Sequence, residues 1–175
     1  MEQILGNKTL KELNLPEHIE QLIEKSVSTV RKTIKKPGQI FPPLYLMVDK
    51  QRNMHVLPEM GSVPTHEHVS FIKPLIKLLD VEYIVLLAEC SVLNDGKARS
   101  ADDWKEFYKQ YGSIDKHPDK IDSVNVLIYS AGRTVVGGAL VKTLSAKKQS
   151  RTVGEFTYHV NPKEVENVNL NGFFD

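Results

Sequence analysis

Thr65-His66-Glu67-His68 is the stretch whose residue types could hold a metal. An H-x-H pair supplies two imidazoles to Zn²⁺, and Glu67, Asp80 or Glu59 could complete the shell, so His66 and His68 are the candidate metal ligands. The pair also opens a helical pattern, and residues two apart on a helix diverge by about 200°. That favours polar first-turn residues beside a cap at Thr65. Cys90 could act as a nucleophile only with an imidazole base, from His117 or His159; otherwise it is a small buried hydrophobe. Its neighbour Glu89 is a carboxylate on an apolar strand, which requires a partner or a solvated pocket. Between Ser123 and Gly154 there is no acidic residue. Lys142, Lys147, Lys148 and Arg151 therefore make a candidate anion- or nucleic-acid-binding loop, although a charged tip also simply keeps a sheet edge soluble. Trp104, Phe107, Tyr108 and Tyr111 recur at helical spacing and form the candidate protein interface. No phosphate loop, dinucleotide fingerprint or nucleophile elbow is present.

The elements that must position these residues follow from periodicity. Tyr83 to Leu87 is a run of five apolar residues, which suits an interior strand covered on both sides, with helices on at least one face of its sheet. Before it, Ile19, Leu22, Ile23, Val27, Val30 and Ile34 mark a first helix, stopped by Pro37-Gly38. Residues 44–48 and 54–57 read as a hairpin turning at 49–53, with Pro58 ending its second strand or marking an edge. Val69, Ile72, Leu75, Ile76 and Leu79 mark a second helix, in which Pro74 predicts a kink or break. Ser100 to Asp103 reads as a capping box that opens the aromatic helix, and Gly112 ends it. From Ser123 the chain reads as three antiparallel strands, with Gly137-Gly138 marking a bulge or a close backbone approach.

Composition sets the bounds. The 175 residues, 41% apolar and 26% charged with a net charge of +1, describe one ordinary globular domain with no global field toward nucleic acid or membrane. No apolar run approaches the roughly 18 residues of a membrane span, and no secretory leader is expected from the first residues. A single cysteine excludes an internal disulfide and a CxxC metal knuckle. A cytoplasmic setting without a cofactor is expected.

The strand ending in Ala88-Glu89, the polar segment His117-Pro118-Asp119-Lys120 and the strand at Val124-Asn125-Val126 resemble a group of small uncharacterised proteins from bacteria and their phages. In that group a strand ends in an acidic residue followed by an aromatic, and a Pro-Asp-Arg-like element precedes the next strand. Cys90-Ser91 replaces the aromatic here, and Lys120 stands for the Arg. The resemblance covers residues 82–130 and implies shape and a bacterial or phage origin, not an activity. His66-Glu67-His68 also resembles the start of the JAMM metalloprotease motif, but Val69 stands where that family has Pro and no Ser sits near the expected place.

The expected fold is therefore a single α+β domain over 1–175, with a mostly antiparallel sheet of about six strands and helices on one face. It carries an insertion at 94–122 and an extended tail at 161–175. The favoured function is a non-enzymatic protein-binding or self-assembling module, whose partner is a second copy or another protein. The alternatives are a small metal-dependent hydrolase at His66 and His68, and a nucleic-acid or nucleotide binder at the 142–151 loop.

Overall fold

The computed structural model describes residues 7–35, 40–57, 67–93, 99–145, 147 and 150–160, with the backbone alone for 68 and 69. In chain order the elements are α1 (Glu17–Ile34), β1 (Leu44–Asp49), β2 (Met54–Leu57), α2 (His68–Leu78), β3 (Val81–Leu93), α3 (Ala101–Tyr111), β4 (Lys120–Ser130), β5 (Arg133–Ser145), β6 (Ser150–Val153) and β7 (Thr157–Val160). This is the expected α+β class, with one antiparallel sheet in the order β2-β1-β3-β4-β5-β6 and β7 also paired to β5. No helix among the described residues is long and apolar enough to cross a membrane. The expected tail at 161–175, the start of the insertion at 94–98 and the cap at Thr65 lie outside the described residues.

β3 is the interior strand that its apolar run requires. It lies between β1 and β4, and its side chains alternate between two cores. Val85 and Leu87 join Leu46, Val48, Val126 and Ile128 beneath the apolar stripe of α1, where Ile19, Ile23, Val30 and Ile34 are fully buried. Ile84 and Leu86 face the other way, toward Tyr45, Met47, Tyr129 and the α2 residues Ile72 and Ile76. The second helix thus covers the reverse face, beneath β1 and β3. A strand apolar on both sides demands this arrangement.

Two sequence expectations change. Of the kink or break expected at Pro74, the break does not occur, and α2 is one helix through it; the amide lost there would have bonded the carbonyl of Ser70, an exposed residue whose carbonyl can turn to water. The sheet has seven strands because part of the expected 145–151 loop is strand. β6 and β7 together form one return strand along β5. Between the pairs Gly138↔Thr157 and Val141↔Val153, β5 advances three residues and the return strand four. The extra residue is a bulge, and Gly154 donates its N–H to Leu140 O at 2.9 Å within it.

Gly137 shows the close approach that paired glycines suggested. The ring of Tyr158, 2% exposed, lies across it from the neighbouring strand, and a Cβ at this position would sit 2.2 Å from Tyr158 Cδ1. Tyr158 is one of the largest side chains in the core beneath α1, so it has nowhere to retreat. Gly137→Ala should therefore lower the unfolding free energy by about 1–3 kcal/mol, the range for overpacking a well-filled core. A urea titration with an unchanged midpoint would show that the tyrosine does not seat on the glycine.

Candidate functional site

Glu89 has found its partner. Its carboxylate, with a side chain 7% exposed, takes a salt bridge from Arg151 of β6 and accepts the Phe41 N–H at 2.9 Å. Arg151 is itself mostly buried, at 16%. Its guanidinium therefore turns into the curl of the sheet, not out toward a phosphate. Of the four basic residues expected to bind anions, Lys142 and Lys147 are exposed, and Lys148 lies outside the described residues.

The metal expectation falls largely outside the described residues. His66 is not among them, and His68 opens α2 with its side chain undescribed. Among the described residues no group of three or more His, Cys, Asp or Glu is placed to hold a metal ion. Cys90 lies opposite Ser123, with Sγ and Oγ 3.4 Å apart, and burial pushes its thiol pKa up, away from nucleophilic use. His159 sits on β7, beyond β4 and β5 from Cys90, and the His117 ring packs against Phe107 and Tyr111.

The aromatic helix is a partial lid. Its capping box is formed in both directions: Asp103 N–H donates to Ser100 Oγ at 3.2 Å, and Ser100 N–H to Asp103 Oδ2 at 2.8 Å. Phe107 is buried, Tyr108 is 48% exposed, and Trp104 and Tyr111 are intermediate. Arg99 lies over the Trp104 and Phe107 rings, at 5.3 and 5.4 Å from their centroids. Much of this aromatic surface is thus spent within the chain.

A polar cluster that the sequence reading did not single out lies at the β1–β2 turn. Asp49, 5% exposed, accepts from Asn53 N–H at 2.8 Å and Asn53 Nδ2 at 3.0 Å, while His55 Nε2 lies 2.9 Å from its Oδ2. These contacts lock the hairpin and hold the His55 ring. Bonding to His55, then to Asn53, lowers the Asp49 carboxyl from 3.8 to about 2.

The surface these contacts hold in place is β2, the last strand of the sheet at its end. Asp49 N–H donates to Asn53 O at 3.1 Å, so Asp49 and Asn53 form a hydrogen-bonded pair. Such pairs alternate along an antiparallel ladder. With Met47 opposite His55 and Tyr45 opposite Leu57, the backbone groups of His55 and Leu57 point to β1. Those of Met54 and Val56 point outward, where no described strand meets them. The side chains of Met54 and Val56 are 53% and 52% exposed. Pro58 hinted at an edge, but nothing in the local pattern told which pair of residues would face out. Comparison with protein families, curated proteins and solved structures finds no match.

Two outcomes follow. Glu89→Gln or Arg151→Met, each stranding a buried partner, should cost about 3–5 kcal/mol, and the double variant much less than their sum; additive losses in denaturant titrations would mean the two groups are not coupled. Asp49, with its depressed pKa, contributes stability that is fully present above its unfolded value near 3.8 and is lost as pH falls through about 2. Hydrogen exchange of the Asn53 amide should accelerate over that interval, and Asp49→Asn should abolish the pH step.

Proposed function

We propose that the protein works by binding, as a self-assembling module, and that its contact surface is the open edge of β2. The observation that carries this reading is the pair Met54 and Val56, half-exposed apolar side chains whose backbone groups also face outward without a described partner. Proteins ordinarily defend a sheet edge with a charge, a proline or a bulge. Residues 54–57 contain none of these. The far side of the sheet differs. There the segment at Lys8 caps β7, with Lys8 N–H donating to Tyr158 O at 3.2 Å and Tyr158 N–H to Lys8 O at 2.9 Å. An edge without protection among the described residues favours strand addition, in which main-chain hydrogen bonds supply affinity and alternate side chains supply selectivity.

The competing readings have less behind them. The nucleic-acid reading loses the buried Arg151, and no described cluster supports a hydrolase.

Light scattering at tens of micromolar should give a mass above 19.8 kDa that falls on dilution. Met54→Lys combined with Val56→Lys should return the monomer mass while the domain stays folded, because both side chains are already half exposed. Tyr108→Glu on the aromatic helix should leave the association intact. A parent that stays monomeric throughout, or a lysine pair that changes nothing, would sink the reading.

A further inference from the structure

The alternation of outward and inward groups on β2 determines how a second copy can pair with it, and the geometry points to a single register, with His55 on the two-fold axis. This rests on the self-assembly reading above and specifies the contact. Two identical sheet edges joined about an axis perpendicular to the sheet meet antiparallel and keep their faces aligned, as a self-complementary interface requires. Residues on one face of β2 must therefore meet residues of the same face in the second copy.

Three registers satisfy that condition near the centre of the strand. If Val56 met Val56 of the second copy, Met54 would lie opposite Pro58, which has no N–H to give. If Met54 met its own equivalent, Val56 would lie opposite Arg52, which sits in the turn at φ 68° and cannot continue a ladder. In the remaining register Met54 meets Val56 of the second copy and His55 meets its own equivalent. All the outward N–H and C=O groups of Met54 and Val56 then bond one another, as two hydrogen-bonded pairs flanking the axis. Their apolar side chains pack in cross-strand pairs on the α1 side of the sheet, extending the row that Leu46 and Val48 begin.

This register places the two His55 residues in the non-hydrogen-bonded site, where Cα atoms approach to about 4.5 Å. That separation lies at the close end of the range a disulfide can bridge. Each imidazole keeps the contact to its own Asp49.

Cross-linking tests the register separately from the association. In a Cys90→Ser background, which removes the chain's only cysteine, His55→Cys should form a disulfide dimer on mild oxidation, with loss of most of the monomer band under non-reducing conditions. Because His55→Cys also removes the contact to Asp49, a second pair of variants guards against a loosened hairpin. Met54→Cys and Val56→Cys should each remain uncross-linked alone and cross-link when mixed. A monomeric parent overturns the underlying reading and the register together. A parent that associates, with no cross-link at position 55 and none between mixed Met54→Cys and Val56→Cys, leaves assembly standing and overturns this register. Self-linking of Met54→Cys or Val56→Cys overturns it as well.

Discussion

The bridge between Glu89 and Arg151 is the contact on which the shape of the molecule turns. Glu89 belongs to β3 and Arg151 to β6, with β4 and β5 between them. In a flat sheet three inter-strand steps would hold them about 14 Å apart. They touch because the sheet curls around α1, bringing Val85 and Leu87 into one core with Val153 and Tyr158. A charge in that interior is tolerable only when its lone pairs are occupied, and the Phe41 N–H takes one of them. The carboxylate thus ties three distant segments: the interior strand, the return strand and the connection leaving α1.

Apolar packing around the same curl supports the bridge. α1 lies in the concavity with its buried stripe against β1, β3 and β4, and Arg31 near its C-terminal end donates to Gly154 O at 2.9 Å. At its N-terminal side Arg133 donates to the Leu13 carbonyl. Tyr158 fills the floor that Gly137 leaves open. The two arginine ties join the first forty residues to the last forty described.

Much of the architecture was legible because its signals are local. The 3.6-residue stripe of α1, the doubly apolar run of β3, the reciprocal cap of Ser100 and Asp103 and the special role of Gly137-Gly138 are each written within a few neighbouring residues. What stayed hidden depends on strand order and curl. Glu89 plainly required a partner, but Arg151 lies 62 residues away and reads, within its own segment, as a solvent-facing cation. Met54 and Val56 read as ordinary strand residues until the ladder shows which way their backbone points. Pro74 failed to break α2 because the carbonyl it orphans belongs to an exposed residue, a fact of tertiary placement.

The bridge between Lys8 and Tyr158 carries a consequence for how the chain comes into being. α1 precedes every strand in the chain; its apolar stripe packs in turn on β1, β3 and β4, while Tyr158 of β7 joins the same core last of the described strands. A nascent chain must carry part of that stripe uncovered until β4 has followed β1 and β3 off the ribosome. The arginine ties at its two ends close loops of 123 and 120 residues, late events for a chain made from its N-terminus. A chain interrupted before β3 would leave much of the α1 stripe unpacked, an exposed amphipathic helix.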